Sequence, residues 1–141
     1  MNLNQVTLTI INMDKSTDFY RRLGFTQIVD TPHYARFACP DEGATFSLSL
    51  AETDILTTAQ NKLSTGTTIY FEHEKLDEWV ATIQSRGIEF EQLPVSQSYL
   101  WREAILTDPS GNKIKLYWAG ENRLNPPWRV EKNTKHKLLH Y

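Results

Sequence analysis

The stretch Gln5-Val6-Thr7-Leu8-Thr9-Ile10 alternates polar and apolar residues, and Thr68-Ile69-Tyr70-Phe71-Glu72-His73 repeats the pattern 63 residues later until it ends at His73. Alternation of period two is typical of a β-strand with one buried face. The same offset places Asp14 on Asp77 and Gly24 on Gly87. Because several features repeat at one spacing, we predict two copies of one structural unit.

A helical pattern follows each of these strands. In the second copy the apolar residues recur at helical spacing and form one stripe, which predicts a helix packed on a sheet: Leu76, Trp79, Val80 and Ile83. In the first copy Asn12 is a candidate N-cap, and Phe19 and Leu23 share one side. Gly24 and Gly87 suit the left-handed position after a helix, so both helices should end there.

Three further strands are predicted after each glycine. Each copy has a short strand and then a hairpin, whose arms are residues 34–39 and 45–50 in the first copy and 101–107 and 113–118 in the second. The turn glycines Gly43 and Gly111 differ by 68 positions, so we expect five extra residues in a loop at about 93–99. Each copy therefore reads as strand, helix, strand, strand, strand.

Composition restricts the class of protein. The chain has 141 residues and a mass of 16.4 kDa, which fits one domain. Its formal charge of -2 argues against a nucleic-acid partner, and no apolar run is long enough for a membrane span. Cys39 is the only cysteine and the start lacks a signal-peptide pattern, so we expect a cytoplasmic location. Cys39 could be a nucleophile or a small buried hydrophobe.

These residues resemble the vicinal oxygen chelate superfamily, the group of glyoxalase I, bleomycin-resistance proteins and extradiol dioxygenases. The resemblance covers about residues 4–119 and is carried by 5–10, Asp14-Lys15-Ser16, Phe19-Tyr20, Leu23-Gly24-Phe25 and Asp108-Pro109-Ser110-Gly111-Asn112. It implies an α+β fold of two βαβββ modules, with curled mixed and antiparallel sheets around a cavity and the helices outside. We expect a domain at 1–119, with module one at about 4–51, a linker at 52–66 and module two at about 67–119.

The resemblance also locates the positions that hold a divalent metal in the family's enzymes. They match Gln5, Ser47, Thr68 and Lys115. Only Gln5 is a ligand of the expected kind, while Lys115 adds a positive charge beside the metal position. No pair of histidines has ligand spacing. We therefore expect no metal and no cofactor.

Strand alternation predicts a polar face opposite the helices. That face could be wetted by solvent, or it could line a ligand cavity as the resemblance implies. The candidate ligand-binding residues are Gln5, Ser47, Thr68, Tyr70, Trp101, Arg102, Lys115, Tyr117 and Trp128. Glu72 lies on the same face and could be a base or the salt-bridge partner of a lysine.

The leading hypothesis is a metal-free small-molecule-binding protein that resembles the bleomycin-resistance branch and holds a polar or anionic ligand in a cavity completed by a second copy, as a homodimer. The alternative is a glyoxalase-like lyase or isomerase, with Lys115 as the electrophile and Glu72 moving a proton. A third hypothesis is a structural or regulatory protein that binds a partner through its tail.

Residues 120–141 form a basic tail. From residue 119 onward the net charge is +3 and the remainder of the chain carries −5. Asn125-Pro126-Pro127-Trp128 predicts a stiff extended segment, because proline excludes a regular helix. Trp128 could pin this segment to the domain's own surface, or Trp128 and Arg129 could close the cavity or contact the partner subunit.

Overall fold

The computed structural model describes residues 1–41, 43–52 and 66–130 and has the predicted α+β architecture of two βαβββ modules. Module one consists of β1 (Gln5–Ile10), α1 (Met13–Leu23), β2 (Thr26–Asp30), β3 (Tyr34–Ala38) and β4 (Thr45–Leu50). Module two consists of β5 (Thr68–Glu72), α2 (Leu76–Ser85), β6 (Gln92–Ser96), β7 (Arg102–Thr107) and β8 (Lys113–Trp118). Most of the predicted linker and residues 131–141 of the tail lie outside the described residues.

Each module has a four-stranded mixed sheet with the same order. Module one is ordered β1-β4-β3-β2 and module two β5-β8-β7-β6. The first and last strands of each module are parallel, with Thr7 beside Ser47 and Tyr70 beside Lys115, whereas the other pairs are antiparallel. The two sheets do not join into one sheet. Among the described strands, β1 pairs only with β4 and β5 pairs only with β8, so each has one unpaired edge.

The helices begin and end for local reasons that the sequence predicts. The Asn12 side chain accepts a hydrogen bond from the Lys15 amide and caps α1. Gly24 ends α1 with φ 109°, a conformation that favours glycine. Gly87 has φ 86° and follows α2 after one intervening residue, Arg86.

One hydrophobic core joins the two modules. It contains the apolar faces of both sheets and both helices, including Phe37, Phe46, Leu116 and Ile83. Aromatic rings make the junction, since the Phe25 ring lies 5.1 Å from that of Phe46 and 4.5 Å from that of Phe71. Neither sheet could bury its apolar face alone, so the modules form a single folding unit.

The turn between β7 and β8 fastens module two to module one. Asp108 is buried, and its carboxylate accepts hydrogen bonds from the Tyr20 hydroxyl and the Asn112 side chain. The same Asn112 amide donates to the Thr9 carbonyl, and the Ile11 amide donates to Ser110. Burial, and secondarily the Asp108 carboxylate, raises the pKa of Tyr20. The turn that carries the family resemblance is therefore a clip between the modules.

The extra residues of module two are divided between two places. One residue separates Gly24 from the start of β2 at Thr26, but four separate Gly87 from the start of β6 at Gln92. The turn before β7 covers 97–101, whereas the corresponding turn in module one covers 31–33. The segment 93–99, predicted as a loop, is therefore partly strand, because Gln92 and Val95 pair with β7.

The described part of the tail is folded into short turns. Residues Gly120–Arg123 form a 3-10 helix, and the Arg129 amide donates to the Pro126 carbonyl. This differs from the predicted extended segment, since Pro126 and Pro127 occupy a turn, which also suits their fixed φ. Across the described ranges, no helix has the length and apolar character needed to cross a bilayer.

Candidate ligand-binding face

An aromatic cluster covers the polar face of module two. The Trp101 ring stacks on that of Tyr117, with centroids 4.6 Å apart and planes inclined by 16°. Tyr70 meets both rings edge-on, at 6.0 Å from Trp101 and 5.6 Å from Tyr117. Burial, followed by the nearby Glu72 carboxylate, raises the pKa of Tyr117. Tyr70 is 45% exposed whereas Tyr117 is only 6% exposed, so the cluster meets solvent mainly at Tyr70.

A nearly buried ion pair lies beside the cluster. The Lys115 Nζ is 3.7 Å from Oε1 of Glu103, and the Glu103 side chain is only 2% exposed. The Tyr99 hydroxyl donates to the same carboxylate oxygen, and this bond raises the pKa of Tyr99 to about 12. Lys115 also lies 5.6 Å from the centre of the Tyr70 ring, within cation–π range. The positive charge of Lys115 is therefore balanced by a carboxylate.

A second polar network lies on module one. Gln5 donates to the Ser47 hydroxyl at 2.7 Å and accepts a hydrogen bond from Thr45. The Ser47 and Tyr34 hydroxyl oxygens are 2.5 Å apart, and Arg36 donates to the Tyr34 oxygen from Nε and Nη2. The hydrogen bonds with Ser47 and Arg36 lower the pKa of Tyr34.

The four predicted metal positions form two separate pairs. Gln5 and Ser47 are hydrogen-bonded within module one, and Thr68 and Lys115 lie on neighbouring strands of module two. Lys113 is the strand neighbour of Thr68, while Lys115 is beside Tyr70. Within residues 1–41, 43–52 and 66–130, no hydrogen bond or ion pair joins one pair to the other.

Three other predicted residues have different surroundings. Arg102 binds Asp77 of α2 through two nitrogens, at 2.9 and 3.1 Å, and donates to Ser96. This ion pair lowers the pKa of Asp77 and raises that of Arg102. Glu72 lies 4.0 Å from Nε of Arg123, so its basic partner is an arginine and not a lysine. Trp128 is 52% exposed.

The donor chemistry does not fit a metal. Zinc prefers thiolate, imidazole and carboxylate ligands, and harder cations prefer several carboxylate oxygens. In the part of the chain that the structure describes, no three His, Cys, Asp or Glu side chains are grouped for metal binding. Gln5 and Ser47 already bond to each other, and Lys115 is a cation. These residues cannot supply a resident metal centre.

A cleft of about 630 Å³ lies between the modules. Its walls include Tyr70 and Glu72 on one side and Cys39 and Asp41 on the other, with Trp79 of α2. Burial, and secondarily Asp41, raises the pKa of the Cys39 thiol, which disfavours the nucleophilic thiolate. The cleft reaches the edge of the aromatic cluster at Tyr70, whereas Lys115 and Trp101 lie outside its lining.

Sequence reasoning missed Glu103, Tyr99, Tyr34 and Arg36. The alternation in Tyr34-Ala35-Arg36-Phe37-Ala38 contains the signal, because Ala35 and Phe37 are buried and the intervening residues face the other way. Alternation likewise assigns Glu103 of β7 to one face of the sheet, but it does not predict that the Glu103 carboxylate is buried.

Comparison with known proteins agrees with this architecture. A model of the glyoxalase/bleomycin resistance protein/dioxygenase superfamily matches residues 2–116. A solved glyoxalase/bleomycin resistance protein/dioxygenase from Nocardioides is 23% identical, with a TM-score of 0.68 over 90% of this chain and 87% of that one. No curated protein sequence matches significantly.

Two further solved structures share the fold. Lactoylglutathione lyase from Agrobacterium tumefaciens is 18% identical, with a TM-score of 0.65 over 82% of this chain and 92% of that one. A bleomycin-binding protein complexed with bleomycin is 19% identical, with a TM-score of 0.64 over 85% of this chain and all of that one. With a family match over most of its length and two βαβββ modules, the chain belongs to the glyoxalase/bleomycin resistance protein/dioxygenase superfamily.

Proposed function

We propose that this protein binds a polar or anionic small molecule without a metal, on the polar faces of its sheets. The observation that carries the proposal is the aromatic cluster of Tyr70, Trp101 and Tyr117 beside the Lys115–Glu103 ion pair. Ligand sites combine flat apolar surface with a few fixed polar groups, and this cluster has both.

The cluster is organised before any ligand arrives. The stacked Trp101 and Tyr117 rings restrict each other, and Tyr99 and Lys115 are both held by the nearly buried Glu103. Burial of the Glu103 carboxylate has a desolvation cost, which is unusual for a sheet face that only contacts water. Pre-organised side chains lose less entropy on binding, which favours affinity.

Completion of the cavity by a second copy belongs to the same proposal. The two sheets are open, β1 and β5 have unpaired edges among the described strands, and the half-exposed Tyr70 lies on β5. An edge strand with free backbone groups favours pairing with another chain. Light scattering after size-exclusion chromatography should then give twice the 16.4-kDa chain mass.

A binding experiment tests the proposal. A panel of metabolites and antibiotics, including bleomycin, is titrated calorimetrically into metal-free protein with a chelator present. We expect at least one ligand to bind, and Trp101→Ala to weaken it by about tenfold or more, because the stacked ring is lost. Trp118→Phe is the control, since Trp118 precedes the tail on the opposite side of β8 from Tyr117. Uniform absence of binding, or equal affinity of Trp101→Ala, would contradict the proposal.

Catalysis by a lyase or isomerase is the second candidate. Its support is the proximity of a cation and a carboxylate, but the carboxylate beside Lys115 is Glu103, while Glu72 lies beside Arg123. A glyoxalase-like activity would therefore depend on Glu103 for proton transfer. Turnover of methylglyoxal with glutathione that is lost in Glu103→Gln and kept in Glu72→Gln would support this candidate over simple binding.

A further inference from the structure

Donor and acceptor roles can be assigned to each hydroxyl group in the module-one network. Ser47 is fully buried, and its oxygen accepts a hydrogen bond from Gln5. The Tyr34 hydroxyl oxygen, 2.5 Å away, is the one remaining partner that the structure gives to the Ser47 hydroxyl. A buried donor without an acceptor is strongly disfavoured, so Ser47 donates its hydrogen to Tyr34.

The Tyr34 oxygen is then saturated as an acceptor. It also receives Nε of Arg36 at 3.0 Å and Nη2 of Arg36 at 2.9 Å. Its own hydrogen is left, and no described residue accepts it. Since the Tyr34 side chain is only partly buried, that hydrogen is available to an acceptor that arrives from outside.

Arg36 is a cation without a carboxylate partner among the described residues. Three cations of module two and the segment after it do have carboxylate partners, because Arg102 binds Asp77, Arg123 lies near Glu72 and Lys115 lies near Glu103. Arg36 uses one edge of its guanidinium group on the Tyr34 oxygen. The Nη1 hydrogens and one Nη2 hydrogen are left, which is the arrangement that binds an oxyanion through two parallel hydrogen bonds.

The rest of the network contributes no competing acceptor. The Gln5 carbonyl oxygen accepts a hydrogen bond from Thr45, and the Ser47 oxygen accepts one from Gln5. We infer that Arg36 and Tyr34 form an oxyanion subsite, which takes a carboxylate or phosphate ester group through the guanidinium end and the phenol hydrogen. This subsite rests on the proposed binding function for its role, and it specifies the anionic part of the ligand.

The test uses two oxyanion probes on the full chain. Inorganic phosphate and sodium acetate are titrated separately at constant ionic strength maintained with chloride, and backbone amide signals of β3 and β4 are followed by NMR. We expect saturable shifts at residues 34–36 and 47 with one or both probes. Tighter phosphate binding would indicate a phosphate ester, and tighter acetate binding a carboxylate.

Variants separate the subsite from general charge. Arg36→Gln should abolish the saturable shifts, and Tyr34→Phe should weaken binding by about tenfold, as for one charge-assisted hydrogen bond. Arg21→Gln is the matched control, since it removes the same charge from the exposed surface of α1. Arg36→Lys keeps the charge but loses the planar guanidinium group that makes two parallel hydrogen bonds, so it should bind the probes more weakly than the wild type. This variant keeps the test possible even if Arg36→Gln does not fold. Unchanged binding in the folded Arg36 variants, or no response to either probe, would overturn the inference.

The two proposals can fail independently. If phosphate or acetate binds at Arg36 while no panel ligand depends on Trp101, the oxyanion subsite stands and the binding function on module two fails. If a panel ligand depends on Trp101 but neither oxyanion is bound at β3, the reverse holds.

Discussion

Replacement of Lys115 by methionine should destabilise the protein through the carboxylate that it leaves behind. Methionine keeps most of the side-chain volume and removes the charge. Glu103, which is 2% exposed, would keep its hydrogen bond from Tyr99 but lose the ammonium group 3.7 Å away. A buried charge without its counter-ion is far more costly than a missing surface ion pair.

The size of the effect follows from burial and distance. Removal of one partner of a fully buried pair costs about 3–5 kcal/mol. The Lys115 side chain is 21% exposed and its separation from Glu103 exceeds hydrogen-bond length, so solvent already screens part of the attraction. We expect a loss of about 2–3 kcal/mol in the free energy of unfolding, which at roughly 2 kcal/mol/M lowers the urea midpoint by about 1–1.5 M.

Urea denaturation of four proteins measures this coupling. The set is the wild type, Lys115→Met, the double variant Glu103→Gln with Lys115→Met, and Lys113→Met. Because glutamine is neutral, the double variant should recover most of the lost stability. Lys113 is exposed on the same strand and face, and its replacement should change stability by less than about 0.5 kcal/mol. If Lys115→Met is as stable as Lys113→Met, or the double variant recovers nothing, the ion pair does not have the assigned role.

Three further predictions concern titration and stability. Tyr99 should ionise near pH 12 in an ultraviolet titration, and in Glu103→Gln one tyrosine should ionise about 2 pH units lower. Because the pKa of Tyr99 is raised in the folded state, the hydrogen bond to Glu103 stabilises the fold fully below about pH 10. This contribution to the free energy of unfolding is lost between about pH 10 and 12. An unchanged titration curve would contradict this. Asp108→Ala removes the acceptor of the hydrogen bond from Tyr20 and of three other hydrogen bonds. Urea denaturation should therefore show a loss of about 3 kcal/mol or more in the free energy of unfolding. A loss under about 1 kcal/mol would contradict the role of this turn in joining the modules. Gly24→Ala should cost about 1 kcal/mol and lower Tm by about 2–4 °C, because its Cβ has space but its φ of 109° strains alanine.

The fold was predictable because several local signals agree. The alternation of 5–10 and 68–73 fixes which strand face is buried, and Gly24 and Gly87 end the helices as expected. The division of the extra residues was not predictable, because Pro94 and the polar residues of β6 read as a loop in isolation. Pairing with β7 makes that segment a strand, so tertiary context prevails over local preference.

The site was only partly predictable, because alternation assigns a face but not a contact. It puts Tyr70, Lys115 and Tyr117 together correctly. It cannot say that Arg102 turns to Asp77 on α2, since that contact depends on where a helix packs. Nor does it reveal that Glu103 is buried, because burial of a carboxylate becomes possible only once Lys115 and Tyr99 surround it.

These contacts change which cation can recognise an anionic ligand. From the sequence, Lys115 is the obvious positive charge, since it stands where the family's enzymes hold a metal. The Glu103 carboxylate balances the charge of Lys115, and the ion pair holds Lys115 beside the Tyr70 ring of the aromatic cluster. Arg36 carries hydrogen bonds to a phenol oxygen and no counter-ion among the described residues, so its charge is not cancelled. An anionic ligand should therefore be held by module one at its charged end, whereas its flat or apolar part is better suited to module two. If each module supplies a different part of the site, a ligand that contacts both must span the two sheets.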